Sequence, residues 1–405
     1  MATNLQIPAI GDIHLQQDGR REQRLASWDR IITDGLDLPR LGAWLCLGDL
    51  FHAKSTAADR NDAARRLQAM ANAAPVILLR GNHDHEGELT VFAKLKATHA
   101  ITVVEHPGVV RIDSRYGAVS VACLPYPFKG MLAAMGLSPD EALRAGDGAL
   151  LDICRELAAE LADARADGDA VLFAAHVNVT GAIASSGQPN IGRELSIAAE
   201  HLALFADMPK VAGHIHKSQD IHGLTYAGSI ARQSFGETED KRYLVVALGP
   251  AQGQHAVSSR PLDVPAMLHV EGTLSREGFA HDLPAGTDIE GAEVRVRYRY
   301  AQSEQRFLDH ASVRVPFAGA ATLQVEPIAV PDRALRAPAV AQAVTLADKL
   351  TAWALATDTV TPASVLEKLA RLQTQDEATL RASVEAWLAQ AEGLAAQESG
   401  KQVAA

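Results

Sequence analysis

Five short segments of this 405-residue chain gather residue types that bind divalent metals. They are "GDIH" (Asp12, His14), "GDLFH" (Asp49, His52), "GNHDH" (Asn82, His83, Asp84, His85), "AAH" (His176) and "GHIH" (His214, His216). Mixed imidazole nitrogen and carboxylate or carboxamide oxygen suits manganese, and zinc or iron would also fit. Spacing matters as much as type. Asp12/His14 and His214/His216 are i, i+2 pairs, and in extended backbone that puts both side chains on one side, so each pair can chelate. The glycines before these groups let the backbone turn close to an ion. A lone fragment of this kind is more often a turn than a site, but here all five fall at the ends of apolar runs.

Those runs are the elements that must position the donors. Strands are predicted at 5–11, 43–48, 75–81, 118–126, 170–176, 209–216 and 242–249, with helices near 20–34, 56–72, 139–165 and 194–206. Ser138 is a plausible cap and Pro139 sits just inside the third helix. Strand–helix alternation predicts a layered α/β sheet. Open α/β sheets build their sites at the carboxyl ends of strands, so donors scattered over some 200 positions would converge at one edge.

After Gly249 the pattern changes. "GPAQGQ" (249–254) reads as a linker, and strands at 267–274, 292–300 and 321–330, with a helix near 303–311, predict a small α+β domain. From Pro338 the chain turns alanine-rich, with helices expected near 339–356, 362–373 and 376–392; Thr374 and Glu377 have capping-box spacing. The expected organisation is a first domain over 1–250, an α+β cap over 255–335 and C-terminal helices over 338–395. In "EVRVRYRY", period two places Arg295, Arg297 and Arg299 on one face and an apolar row on the other. That face is either an ordinary solvated surface or a ladder of phosphate contacts. The last helices carry apolar stripes: Val365, Leu366, Leu369 and Leu372, then Leu380, Val384, Trp387 and Leu388.

Bulk composition narrows the class. With 47% hydrophobic and 21% charged residues the chain can bury real cores. No apolar run approaches the ~20 residues of a membrane span, and the N-terminus shows no signal-peptide pattern, so a cytoplasmic protein is expected. Cys46, Cys123 and Cys154 lack metal-ligand spacing and read as buried, reduced thiols. A net charge of −11 argues against a broad, non-specific grip on nucleic acid but leaves room for a local basic face or a cationic centre built from metals.

The order D-x-H, GD, GNH, H, GHxH resembles the calcineurin-like metallophosphoesterases over roughly residues 5–250, and the resemblance implies their layered α/β sandwich. Hydrolysing a phosphate ester needs a nucleophile at neutral pH and stabilisation of charge on the phosphate oxygens; two divalent ions ~3.5–4 Å apart supply both. The resemblance implies Asp12, His14, Asp49 and His216 around one ion, and Asn82, His176, His214 and a bridging Asp49 around the other. Two carboxylates against two dications leave a centre of about +2, suited to an anionic phosphate. Neutral Asn82 then supplies oxygen without cancelling more charge. His83 cannot easily share the ion of Asn82, since neighbouring side chains diverge. It is better placed as general acid or phosphate donor, as the resemblance also implies. Asp84 is expected to orient His83, and His85 to be a loop residue.

Three features resemble the SbcD-type DNA double-strand-break repair nucleases of bacteria and phages. His52 matches a histidine that nuclease members place against the scissile phosphate, "YAGSIARQSFGE" (226–237) resembles their closing segment, and the phosphoesterase–cap–helices layout is theirs. This resemblance implies a manganese-dependent nuclease acting on DNA ends and hairpins, a homodimer, and C-terminal helices that dock on the coiled coil of an SbcC-type ATPase. The competing expectations are a metallophosphatase or cyclic-nucleotide phosphodiesterase on the same fold, and a non-catalytic scaffold.

Overall fold

Four apolar stretches alternate with two helices at the start of the chain, and each stretch carries side chains for two different cores. In the computed structural model, which describes residues 4–127, 139–188, 195–249, 253–331, 338–357, 359 and 363–388, these are strands β1 (Leu5–Ile10), β2 (Trp44–Cys46), β3 (Val76–Leu79) and β4 (Ile101–Val104). They run parallel and in order. Helix α1 (Arg21–Leu36) joins the first pair and α2 (Ala57–Ala73) the second. A Thr56–Asp59 capping box starts α2.

A second set follows: β5 (Gly108–Ser114), β6 (Gly117–Leu124), β7 (Ala170–His176), the short pair β8 (Asn178–Val179) and β9 (Ser196–Ile197), then β10 (Lys210–Gly213), β11 (Gln219–Ile221) and β12 (Leu224–Tyr226). The chain returns to the first sheet with β13 (Arg242–Leu248) and β14 (His255–Pro261). The result is two six-stranded sheets, ordered β14-β13-β1-β2-β3-β4 and β11-β12-β10-β7-β6-β5.

Period two explains how the sheets stack. Ile77 and Leu79 of β3 share a core with Leu5, Ile7, Val121, Leu172 and Val211, drawn from both sheets. Val76 and Leu78 point the other way, onto Trp28 and Ile31 of α1 and Leu67 and Met70 of α2. In the second sheet Leu172 and Ala174 face inward, while Val171 and Phe173 meet Leu150, Leu157 and Leu161 of helix α3 (Pro139–Ala166). This is a four-layer α/β sandwich, buried on both faces of each sheet as parallel strands require. The three cysteines are free and buried, one in each core.

Two expectations change here. The 249–254 segment joins antiparallel neighbours, paired from Arg242↔Pro261 to Leu248↔His255, so strand pairing continues past the expected linker; residues 250–252 lie outside the described residues. Of the helix expected at 194–206, the described part contains a helix only at Ala199–Ala203, preceded by β9. The proposed Ser138 cap lies outside the described residues.

A four-stranded sheet follows, ordered β16-β15-β17-β18, from β15 (Met267–Ser275), β16 (Gly278–His281), β17 (Glu293–Ala301) and β18 (Thr322–Val330). The expected single helix is two short 3₁₀ turns, Gln302–Phe307 and Ser312–Phe317, the second containing Pro316. Proline ends any α-helical continuation there. Val294, Val296, Tyr298 and Tyr300 are buried as period two requires. The three arginines opposite are ion-paired: Arg295 and Arg297 to Glu326, Arg297 and Arg299 to Glu271.

The chain divides into two compact units, residues 1–300 with 307–328, and residues 301–306 with 329–405. In the second unit, helices Pro338–Gln342, Leu346–Ala356 and Ala363–Thr374 line an apolar groove of ≈ 450 Å³ with Val340, Leu350, Trp353, Val365, Leu369 and Leu372. The next helix, 377–388, is capped by Asp376, whose carboxylate accepts from Thr379 N–H at 2.9 Å. Thr374, the expected cap, instead donates to the Ala370 carbonyl inside the preceding helix. No described helix is long and apolar enough to cross a membrane.

Candidate metal centre

Each strand that carries a candidate donor stops just before it. β1 ends at Ile10, β2 at Cys46, β3 at Leu79 and β10 at Gly213, while β7 ends on His176 itself. The first sheet thus delivers Asp12, His14, Asp49, Asn82 and His83, and the second delivers His176, His214 and His216. All seven expected donors meet at this edge.

The backbone reaches the donors by turning sharply. Asp12 (φ 38°), His14 (φ 50°), Asp49 (φ 51°) and His214 (φ 91°) lie in the left-handed region, where a non-glycine residue costs ~1–3 kcal/mol. The i, i+2 pairs therefore do not chelate from extended backbone, as their spacing alone predicts; twisted turns aim them. The turns are held from outside. His14 N–H donates to the Asp49 carbonyl at 2.9 Å and Leu15 N–H to Leu50 O at 2.9 Å. Asp84 accepts from Leu50, Phe51 and Gly81 N–H at 3.3, 3.0 and 2.9 Å.

Asp84 thus corrects a reading. The sequence places it to steady the His83 ring, but its carboxylate grips the backbone of the Asp49 loop, at the end of the adjacent strand β2. Burial, with Asp49 adding to it, pushes the Asp84 carboxyl up to about 7. His83 is steadied by another contact: its Nδ1 donates to the His52 carbonyl at 2.6 Å.

The donor atoms fall into two overlapping groups. Asp49 Oδ2 lies 3.5 Å from His14 Nε2 and 3.4 Å from His176 Nε2. Asn82 Oδ1 lies 3.0 Å from His176 Nε2 and 2.8 Å from His214 Nδ1. On the other side His14 Nε2 and His216 Nε2 are 3.0 Å apart, within one donor cluster with Asp12. One carboxylate oxygen between two histidine sets is the geometry of a bridging ligand, and the two groups correspond to the two sets implied by the resemblance.

Two of the donors, Asp49 and His14, are also in the chemical state that ions need. Burial alone would push the Asp49 carboxyl up, but the neighbouring His176 imidazole, with His14 and His83, outweighs it and holds Asp49 well below the carboxylate range. Burial keeps His14 well below the usual imidazole value, hence neutral and able to ligate. Asp12 Oδ1 accepts from His214 N–H at 2.8 Å, while its buried Oδ2 has no hydrogen-bond partner among the described residues. A buried, unpaired carboxylate oxygen is costly unless a cation meets it. Burial alone would lower His176, yet Asp49 and Asp12 outweigh it and raise that group to about 9: the space between these carboxylates calls for positive charge. The residues fit two divalent ions.

Ring tautomers agree. His176 Nδ1 donates to the Leu47 carbonyl at 2.7 Å, leaving Nε2 for an ion. His216 Nδ1 faces Glu237 Oε1 at 3.3 Å, with the same consequence. Glu237 is fully buried, paired with Lys241 Nζ at 2.6 Å, and held at about 2, where burial is outweighed by His216 and Lys241. Glu237, Lys241 and Gln188 were not singled out as site residues by the sequence reading. Glu237 closes the "YAGSIARQSFGE" segment, but nothing in its spacing points to His216.

Glycine is required at several of these contacts, Gly81 among them. A Cβ on Gly81 would land on the Asp49 carboxylate and backbone nitrogen. Gly81→Ala is therefore expected to weaken ion binding by ~10–100-fold, as loss of a supporting contact does; calorimetric titration with Mn²⁺ showing wild-type affinity would refute this.

The donors open into a cleft of ≈ 360 Å³, also lined by His52, His83, Gly187, Gln188, Gln233, Ser234 and Glu237. Among the described lining residues there is no lysine or arginine. His52 and His83 stack with ring centres 5.0 Å apart, and His52 Nδ1 lies 3.3 Å from His14 Nδ1. His85 is an exposed loop residue.

A layered α/β fold whose strand ends converge on a candidate two-metal centre defines a metal-dependent phosphoesterase architecture. Residues 5–218 match the calcineurin-like phosphoesterase family, and the chain belongs to it. Among solved structures, a dimetal phosphatase from Danio rerio is similar at 12% identity, covering 64% of this chain and 99% of that one with a TM-score of 0.38.

Proposed function

We propose that the protein is a manganese-dependent DNA nuclease, the SbcD-like subunit of an SbcC–SbcD-type end-processing complex. The observation that carries this reading is the His52–His83 pair on the wall of the metal cleft. Two divalent ions held by Asp12, His14, Asp49, Asn82, His176, His214 and His216 would supply an activated water and neutralise phosphate oxygens. The chain's own residues do the rest. With Nδ1 tied to the His52 carbonyl, His83 presents Nε2 to the cleft, where it can donate a proton to the leaving oxygen. His52, half-buried and lowered by burial and by His83, presents a neutral ring beside it.

The assay is purified protein with Mn²⁺ on end-labelled duplex and hairpin DNA, beside a small phosphodiester and a phosphomonoester. DNA cleavage is expected. Activity confined to the small esters would favour the phosphatase or cyclic-nucleotide reading, and inactivity on all of them the scaffold.

Arg295, Arg297 and Arg299 are proposed to contact DNA, but Glu326 and Glu271 already neutralise two of their three charges. Replacing all three with glutamine is expected to reduce the salt-dependence slope of DNA binding by about 1 rather than 3. An unchanged slope would leave them a purely structural ladder. The partner proposal, an SbcC-type coiled coil and a homodimer, is supported by the exposed apolar residues Trp353, Leu355, Leu366 and Trp387 of the C-terminal helices.

A further inference from the structure

His214 and His216 stand two residues apart but belong to opposite donor groups, one beside Asn82 and the other beside His14. The turn that carries them therefore sets the separation of the two groups. On one side Ser229 N–H donates to the His216 carbonyl at 3.1 Å; on the other, pairing with β7 stops at Gly213, and His214 follows at φ 91°.

Gln188 fills the neighbour's place. Its Nε2 donates to the His214 carbonyl at 2.6 Å, and its Oε1 accepts from His216 N–H at 3.1 Å. One carboxamide thus pairs a C=O and an N–H two residues apart, as an adjacent strand would. Gln188 Oε1 also accepts from Ser185 N–H at 3.4 Å, and the loop that carries it is held in turn. Gln188 N–H donates to Ser185 O at 3.1 Å, and Ser234 Oγ donates to Ser186 O at 2.8 Å. The loop is therefore tied to the segment whose Glu237 meets the His216 ring from the other side.

We infer that Gln188 is a positioning residue that sets the spacing of the two metal sites by splinting the His214–His216 turn. Without it, the left-handed turn loses two of the hydrogen bonds that hold its backbone, and it can relax. That relaxation moves His214 Nδ1 and His216 Nε2 relative to each other while leaving every ligand in the chain. The inference rests on the two-ion reading of the centre.

The test uses the full chain titrated with Mn²⁺, read by metal stoichiometry, calorimetry and electron paramagnetic resonance of the exchange-coupled pair, none of which requires substrate. Gln188→Ala is expected to bind the second ion ~10–100-fold more weakly and to lose or shift the coupled signal. Gln188→Glu keeps the bond from His216 N–H but sets a carboxylate against the His214 carbonyl, and should fall between. Wild-type affinity and an unchanged coupled signal in Gln188→Ala would overturn the proposal. Should that variant fail to fold by circular dichroism, Gln188→Glu decides on the same readouts. A wild-type chain that shows no coupled pair would instead overturn the two-ion reading itself.

Discussion

Asp49→Asn is expected to abolish paired ion binding and with it phosphoester hydrolysis. The side chain keeps its shape, so the packing of the Asp49 loop on Asp84 and on the His14 turn survives. What changes is charge. Asp49 Oδ2 sits between His14 Nε2 and His176 Nε2, and it is one of two carboxylates available to offset two dications. Its loss raises the centre from about +2 to about +3 and takes away the shared ligand. The effect should exceed the ~10–100-fold cost of losing a supporting partner.

The variant also separates fold from site. Wild-type protein should gain thermal stability with Mn²⁺ because ions bind only the folded chain. Asp49→Asn should melt lower than wild type in chelator, since His176 loses the carboxylate it pairs with, and should gain little from Mn²⁺. Two ions bound with wild-type affinity would contradict the assignment of Asp49 as the bridge.

The contrast between donors and their supports shows what a sequence makes visible. The donors were legible because each follows an apolar strand, and a polar residue there is conspicuous. Strands buried on both faces, such as β3 and β7, announce themselves as continuous apolar runs. β14, "HAVSSRP", and β11, "QDI", do not: they lie at sheet edges, where exposure removes the pattern. β11 and β12, of three residues each, are shorter than any periodicity can register.

The supports were hidden for another reason. Glu237 meets His216, and Gln188 meets His214, through folds of the chain that no local spacing encodes. Asp84 was assigned to the neighbouring ring because sequence proximity is the only proximity a sequence shows. The left-handed donors were missed likewise. Spacing of i, i+2 has one meaning in a strand and another in a turn, and the strands stop one or two residues too soon. At Thr374 and Asp376 two good cap residues competed, and the helix before them claimed the first.

His83→Ala should separate catalysis from ion binding, in the opposite sense to Asp49→Asn. The contact of His83 with the centre's main carboxylate is made by its backbone, whose N–H donates to Asp49 Oδ1 at 2.9 Å. Alanine retains that N–H, so both ions should bind as in wild type. The ring is what disappears. It stands on the cleft wall, 4.8 Å centre to centre from His14, with Nδ1 already committed, and a positioned proton donor contributes ~10²–10⁴-fold. Turnover should fall by that factor while KM stays within a few-fold, because the lost interaction is made chiefly in the transition state. A substrate with a leaving group that needs no proton, such as a nitrophenyl diester, should lose much less. That comparison is the sharper measurement: an equal loss on both substrates would mean His83 binds phosphate rather than protonating the leaving oxygen. Loss of the ions themselves would return the residue to the ligand set.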